Sequence, residues 1–178
     1  MLSTLAKALL PCAAIAVMFL VARRRKISFV DEIGLRPPAI AAAALWLLIW
    51  IALISIEEHF SGFIEGSQAK HWPAYPAAII ALRILAIGLL GPMAEELAFR
   101  GLIMAALHKM RVALPLVILL PAAFWSIIHL QSSPSLLVLI FVDGIALGLA
   151  RHFSGSLYVP IVMHMIGNLF SIYQSLAS

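Results

Sequence analysis

Long apolar runs separated by short polar connections dominate the sequence. Six of these runs are candidate membrane spans, because a helix needs about 20 mostly apolar residues to cross the hydrocarbon core of a bilayer. The pattern therefore predicts an all-α fold, a polytopic bundle of transmembrane helices. The predicted spans are 4–22, 39–56, 77–107, 113–130, 135–150 and 156–175.

The third run is too long for one straight crossing, and it contains Gly91 followed by Pro92. Proline has no N–H, so Pro92 leaves the carbonyl of Gly88, four residues earlier, without its helical partner. We expect a broken helix at this point, either one kinked helix or two segments. The number of spans is accordingly six or seven.

The composition agrees with a membrane location. Of the 178 residues 63% are hydrophobic and only 11% are charged, whereas a soluble domain averages about 25% charged residues. Much of the positive charge flanks the first apolar run, as is typical of membrane proteins. We therefore expect the lipid bilayer, and not nucleic acid, as the partner of these basic residues. They are Arg23, Arg24, Arg25, Lys26 and Arg36.

Lysine and arginine residues are distributed unevenly between alternate connections. The alternate connections at 57–76 and 131–134 together carry only Lys70. Because basic loops stay in the cytoplasm, the pattern predicts a multi-pass protein of the cell (inner) membrane with both termini outside. The basic connections are 23–38, 108–112 and the turn at Arg151.

Two regions of the chain differ in their polar content. Residues 1–76 comprise two N-terminal helices, a basic cytoplasmic loop and an outer interfacial loop. That outer loop begins with Glu57, Glu58 and His59, which we expect to be solvated. Residues 77–178 hold the remaining spans, and we predict that they form the functional domain.

Residues 77–178 carry ionisable side chains within apolar runs. Inserting one such group into a membrane costs about 2.5–3.5 kcal/mol, so each needs a partner or a purpose. Their number in so small a domain argues for a functional site. They are Arg83, Glu95, Glu96, Arg100, His129, Asp143 and His164, with the neutral amide of Asn168.

The spacing of these residues predicts that several lie at a similar depth. With a rise of ~1.5 Å per helical residue, Glu95 lies roughly 18 Å, His129 roughly 24 Å and His164 roughly 12 Å from the cytoplasmic ends of their spans. Glu96 and Arg100 are four residues apart and are expected to pair. Glu95 then points about 100° away from Glu96 and faces a cavity.

An acid, two imidazoles and an amide in the middle of a membrane can hydrolyse an amide bond. Glu95 would be the general base that deprotonates a water molecule, and His129 would orient that water or protonate the leaving amine. His164 and Asn168, also four residues apart, would donate hydrogen bonds to the oxyanion of the tetrahedral intermediate.

Three motifs at these positions resemble the CPBP family of CAAX proteases and bacteriocin-processing enzymes, also called Ras-converting-enzyme-like or Abi proteins. The EExxxR motif occurs at 95–100, the FxxxH motif at 125–129 with Trp125 in place of phenylalanine, and the HxxxN motif at 164–168. The resemblance covers about residues 77–175. It implies a catalytic membrane domain, an intramembrane glutamic endopeptidase, and a membrane-embedded or lipidated peptide or protein substrate.

The resemblance also implies that Glu95 activates water with support from Glu96 and Arg100. Because the chain offers adjacent acids paired with Arg100 and lacks HExxH, we predict that no cofactor is needed. Zinc remains an alternative, because two histidines and a carboxylate form a known catalytic ligand set and Glu95, His129 and His164 would supply it. The HExxH motif of conventional zinc proteases is absent from the sequence.

Two other classes of protein remain open. A proton-coupled transporter would also place acids and histidines at mid-depth, but it should show an inverted repeat, and none is visible in the sequence. A non-catalytic immunity or adaptor protein would keep the fold without the chemistry. We interpret Asp143 as a structural counter-ion of Arg100, and Arg83 as an arginine that extends to the membrane surface.

Overall fold

The computed structural model describes residues 2–64, 75–130 and 132–177, and these form six helices without a strand. The all-α class is therefore confirmed for the described part of the chain. The helices are α1 (Leu2–Arg24), α2 (Ile40–Ile64), α3 (Ala77–Lys109), α4 (Leu114–Ile127), α5 (Pro134–Ser154) and α6 (Tyr158–Ala177).

Three helices in these ranges are long and apolar enough to cross a bilayer, namely Ile40–His59 within α2, Ala77–Lys109 and Pro134–Ser154. Large apolar side chains such as Leu48 and Phe124 are more than half exposed, as expected where lipid covers the surface. The chain is therefore a helical membrane protein. The predicted total of six or seven spans is not confirmed: α4, for example, has only 14 residues, or about 21 Å at ~1.5 Å per residue.

α3 continues through Gly91 and Pro92, where the sequence predicts a kink or a break. Its hydrogen bonding changes to the π-helical pattern at Ile84–Leu90 and again at Leu97–Ile103. A π-helical turn contains one more residue than an α-helical turn, and such turns are frequent at functional sites. The irregularity is thus a change of hydrogen-bond register within one helix.

The π-helical turn explains how α3 accommodates its proline. The amide of Gly91 donates to the carbonyl of Ala86, five residues earlier. In this register Pro92 leaves the carbonyl of Ile87 without a helical donor, because proline has no N–H. The side-chain amide of Asn168 on α6 donates to that carbonyl at 2.8 Å. The expected orphan carbonyl therefore exists, one residue earlier than predicted, and α6 satisfies it.

α4 and α5 pack against each other at very short distance. Gly144 and Gly148 of α5 face Ala122 and Ile118 of α4, and a Cβ added at Gly144 would lie 2.9 Å from the Cβ of Ala122. Small residues one turn apart allow such an approach of membrane helices. This contact brings the backbone of α5 next to the buried side chains of α3.

Two predicted boundaries are wrong. α2 continues past residue 56 to Ile64, so Glu57 and Glu58 lie on a helix and not in a solvated loop. α4 ends at Ile127, so His129 occupies the turn after the helix instead of the interior of a span. Residues 65–74, the rest of the predicted outer loop, lie outside the described residues.

Candidate active site

A cavity of about 400 Å³, lined by residues of α2, α3, α4, α5 and α6, collects most of the predicted site. Its lining includes Glu95, Trp125, His129, His164 and Asn168. We call this space the catalytic cavity. The two remaining predicted residues are Glu96 and Arg100, whose side chains are 0% and 1% exposed.

Glu96 is the centre of a buried ionic cluster. One of its oxygens, Oε1, accepts a hydrogen bond from Nη1 of Arg100 at 2.8 Å and another from Nδ1 of His164 at 2.9 Å. Nη2 of Arg100 donates to the carbonyl of Gly144 at 3.0 Å. The predicted pair of Glu96 and Arg100 is therefore confirmed. Burial of these charges is tolerable because each has a partner.

Glu95 is the acid that faces the catalytic cavity, and its side chain is 30% exposed. Its Oε2 accepts a hydrogen bond of 2.6 Å from the indole N–H of Trp125 and lies 4.0 Å from Nε2 of His164. The two adjacent glutamates thus have different environments, as their angular separation on α3 predicts. Glu96 binds other side chains, whereas Glu95 can meet a water molecule.

Trp125 contributes more than the aromatic ring expected at this motif position. Its ring lies 4.8 Å from the guanidinium carbon of Arg100, and the rings of His129 and His164 approach it edge-on at 5.5 and 5.1 Å. The indole N–H that binds Glu95 has no equivalent in phenylalanine. The tryptophan in place of phenylalanine at this motif position is the signal in the sequence from which this donor could have been predicted.

His129 lies in the catalytic cavity because its own side chain ends α4. Its Nδ1 lies 2.9 Å from the carbonyl of Trp125, the acceptor that the backbone amide of His129 would use in a continued helix. That amide instead donates to the carbonyl of Ser126 in a tighter turn. Since a carbonyl only accepts, Nδ1 carries the hydrogen, and Nε2 of the neutral ring can accept one.

The contacts of His164 restrict its role. Because Nδ1 donates to the carboxylate of Glu96, Nε2 carries a hydrogen only when the ring is an imidazolium. His164 can therefore donate to an oxyanion only in its charged form.

Asn168 retains one free donor. Its Nδ2 gives one hydrogen to the carbonyl of Ile87, and the second hydrogen of the amide remains. Asn168 therefore supports α3 and can also donate into the catalytic cavity.

The catalytic cavity contains a second pair of acids that the sequence analysis did not assign to the site. Glu57 of α2 and Asp143 of α5 both line it, and Oε1 of Glu57 and Oδ1 of Asp143 are buried without a donor among the described residues. Two neighbouring carboxylates repel each other, so we infer that one of the pair is protonated and can donate to the other. Asp143 interacts electrostatically with Arg100, as expected of a counter-ion, although the guanidinium donates its hydrogen bonds to Glu96 and to the carbonyl of Gly144.

Trp50 of α2 is a further member of the lining that the sequence analysis missed. Its side chain is 2% exposed, and its indole N–H has no acceptor among the described residues. The ring lies against Gly167, where an added Cβ would be 3.3 Å from Cζ2. Gly167 lies between His164 and Asn168 on α6, so the indole lines the same cavity as both predicted oxyanion donors.

Within residues 2–64, 75–130 and 132–177, no three His, Cys, Asp or Glu side chains are arranged to hold a metal ion. The imidazole nitrogens that already have partners are Nδ1 of His129 and Nδ1 of His164. Any ligation by these histidines would therefore use Nε2 of both rings.

The apolar helices and this polar cavity define a membrane protein whose interior is equipped for acid–base chemistry. A family model described as type II CAAX prenyl endopeptidase Rce1-like matches residues 76–170, more than half of the chain and all three motifs. The chain belongs to the Rce1-like family, and the resemblance noted in the sequence is confirmed. Family membership makes the protein a CAAX-type intramembrane endopeptidase in general terms. Comparisons with curated proteins and with solved structures returned no match.

Proposed function

We propose that this protein hydrolyses a peptide bond of a membrane-embedded or lipidated protein or peptide with a water molecule activated by Glu95. The observation that carries this proposal is the difference between the two adjacent acids. Glu96 is fully buried and accepts from Arg100 and His164, whereas Glu95 is 30% exposed in the cavity. Of these two adjacent acids, Glu95 is the one that lines the cavity and is accessible to water.

In the proposed reaction Glu95 removes a proton from water, and the hydroxide attacks the carbonyl carbon of the substrate. Nε2 of His129 accepts a hydrogen bond from the water and orients it. Hydrogen bonds from Asn168 and from the His164 imidazolium stabilise the oxyanion. The intermediate collapses as the C–N bond breaks, and the proton held by Glu95 passes to the leaving amine. Glu96 and Arg100 position His164.

Trp50 is a further donor in this proposal. An indole N–H that is buried without an acceptor costs about 1–3 kcal/mol, and a substrate carbonyl in the cavity would relieve that cost. Trp50 borders Gly167, next to Asn168. We therefore assign its N–H to the carbonyl oxygen of the substrate peptide.

A zinc-bound water is the alternative, since Glu95, His129 and His164 all line the cavity. The described side chains do not form a three-ligand group, which favours the water activated by carboxylate alone. Mutagenesis does not separate the two mechanisms, because Glu95→Gln removes a base in one and a ligand in the other. Metal content does.

The test combines two measurements on the purified full chain. Mass spectrometry of membrane peptides with and without the protein identifies a cleavage product. The product is then followed after prolonged chelation and after zinc is added back. We expect far less than one zinc per chain and activity that survives chelation. Stoichiometric zinc, with activity lost on chelation and restored by the ion, would establish the metalloprotease. Absence of any product would favour a non-catalytic immunity or adaptor protein.

We also propose that both termini lie outside the cytoplasm, because the basic connections alternate with neutral ones. Met110 lies in the basic turn after α3 and is 73% exposed. In a Cys12→Ala background, Met110→Cys should resist an impermeant thiol reagent in intact cells and react after permeabilisation. Labelling in intact cells would reverse the orientation.

A further inference from the structure

A second cavity, of about 470 Å³, lies where the C-terminal half of α3 meets the ends of two other segments. Its lining comes from the connection at 25–39, from α3 between Arg100 and Lys109, and from the end of α5. We call it the basic cavity, because Arg36, Lys109 and Arg151 line it. The proposed function assigns no role to these residues.

Two arginines of the basic cavity are held in fixed positions by backbone contacts. Nε of Arg36 donates to the carbonyl of Gly155 at 2.9 Å, and Nη2 of Arg151 donates to the carbonyl of Glu32 at 3.2 Å. Each guanidinium lies against a glycine with positive φ, Arg36 against Gly155 and Arg151 against Gly34. A Cβ at either glycine would collide with the guanidinium, so the two side chains occupy preformed places.

Neither arginine forms an ion pair with a carboxylate in the described part of the chain. The two acids of the cavity have other partners: Glu32 accepts from the amide of Ser28 at 2.7 Å and lies 3.7 Å from Nζ of Lys109, while Asp31 accepts from the hydroxyl of Ser28 at 3.0 Å. Nε of Arg151 is buried without an acceptor among the described residues.

The two guanidinium groups line the same cavity and carry like charges. Holding two cations together in a partly buried space is unfavourable unless an anion lies between them. Guanidinium groups present their N–H groups as a planar fork that matches the oxygens of a phosphate. Lys109, which is 73% exposed, adds a third positive charge at the edge of the cavity.

We propose that the basic cavity binds a phosphate group through Arg36 and Arg151. The source is either the headgroup of an anionic lipid or free inorganic phosphate. A lipid headgroup suits the place, because Arg23 and Arg24 at the end of α1 and Arg25 at the start of the connection are all exposed. Such basic segments lie against anionic lipid surfaces.

The proposal is tested with the full chain in nanodiscs of uncharged galactolipid, with or without phosphatidylglycerol. Native mass spectrometry counts the lipids that remain bound after release into detergent. We expect the parent protein to retain one phosphatidylglycerol preferentially, and Arg151→Gln and Arg36→Gln to weaken this retention by about tenfold or more, the effect of losing ~1.4 kcal/mol or more. Arg24→Gln, an exposed arginine outside the cavity, is the matched control and should retain lipid normally.

A second arm titrates inorganic phosphate against chloride at equal ionic strength and follows the thermal unfolding midpoint of the lipid-free protein. Free phosphate is the ligand if two results are obtained together. Phosphate raises the unfolding midpoint only when Arg36 and Arg151 are present, and the first arm shows no preference for phosphatidylglycerol. If an arginine variant does not fold, Lys109→Gln replaces it, since the Lys109 side chain donates to no backbone carbonyl in the described part of the chain. A severalfold loss of lipid or phosphate binding is then expected. Equal behaviour of the parent protein, cavity variants and Arg24→Gln in both arms overturns the proposal. Each outcome is independent of proteolysis.

Discussion

The catalytic cavity has two walls, and the carboxyl groups in these walls have different partners. In the wall of α3, α4 and α6, Glu96 accepts from Arg100 and His164, and Glu95 accepts from Trp125. In the wall of α2 and α5, Glu57 and Asp143 each have a buried oxygen without a donor among the described residues. The carboxylates of the first wall accept from N–H donors, whereas we infer that the two acids of the second wall share a proton.

The difference indicates which wall performs chemistry. An ion in a membrane protein must be matched by charge or by hydrogen bonds. Arg100 and His164 match Glu96, which leaves the neighbouring Glu95 available for water. A proton shared by Glu57 and Asp143 would reduce their charge, and Arg100 adds a nearby positive charge although its hydrogen bonds go to Glu96 and Gly144. This pair therefore joins α2 to α5. We expect chemistry at the first wall, and from the second wall only a substrate contact through Trp50.

The largest effect is expected when the acids of the two walls are compared directly. Glu95→Gln should lower turnover by about 10²–10⁴, the usual contribution of a general base, while leaving the fold intact. Asp143→Asn makes the same acid-to-amide change in the other wall and should leave turnover nearly unchanged. Cleavage of the identified membrane peptide measures both. Equal losses would mean that both walls take part in catalysis.

Asn168→Ala removes a donor from the first wall and should lower turnover by about 10²–10³. It also leaves the carbonyl of Ile87 without its donor, so the free energy of unfolding should fall by ~1–3 kcal/mol. Ser171→Ala, on the same helix and in the same cavity, is the control. If the Asn168→Ala variant is destabilised but turns over substrate normally, the role of Asn168 is only to stabilise α3.

Trp50→Phe tests whether the second wall contacts the substrate. The ring is kept and only the N–H is lost, so packing should persist and kcat/KM should fall by about tenfold, corresponding to ~1.4 kcal/mol for one hydrogen bond. Trp46→Phe, one turn earlier on α2 and stacked on Phe153, should be neutral. Identical kcat/KM for both variants would exclude the indole as a substrate donor.

The sequence predicted the first wall well because its signals are local. The spacing of four residues places Arg100 beside Glu96. Because Glu95 is the next residue to Glu96, its side chain points to another side of α3. The three motifs contain the other residues of the first wall, so these residues can be predicted without knowing how the helices pack. The all-α class and the membrane location likewise follow from composition and the lengths of apolar runs.

The second wall was missed because its contacts depend on tertiary packing. Glu57 meets Asp143 only because α2 extends to Ile64 and because α2 packs against α5. Nothing within a few residues of either acid predicts this contact. Asn168 is an intermediate case: the proline predicts an orphan carbonyl, but the π-helical register that selects Ile87 is not visible in the sequence.

The smallest expected effect is on the free energy of unfolding. It distinguishes an acid that shares a proton with a second acid from an acid whose charge is neutralised by a cation. As a reference, Glu96→Gln leaves Arg100 buried without its anion and should lower the free energy of unfolding by about 3–5 kcal/mol. Asp143→Asn substitutes an amide of nearly the same shape. The amide N–H replaces the proton that one carboxyl group gives to the other, so Glu57 keeps a donor.

We therefore expect the free energy of unfolding of Asp143→Asn to lie within about 0.5 kcal/mol of the parent value, measured by titration with denaturing detergent. Asp143→Ala is the contrasting variant, since it leaves Glu57 without a donor and should cost ~1–3 kcal/mol. If Asp143→Asn is instead as destabilising as Glu96→Gln, the carboxylate of Asp143 neutralises a cation in the folded protein. Cations would then stabilise the acids of both walls, and the proposed difference between the two walls would be wrong.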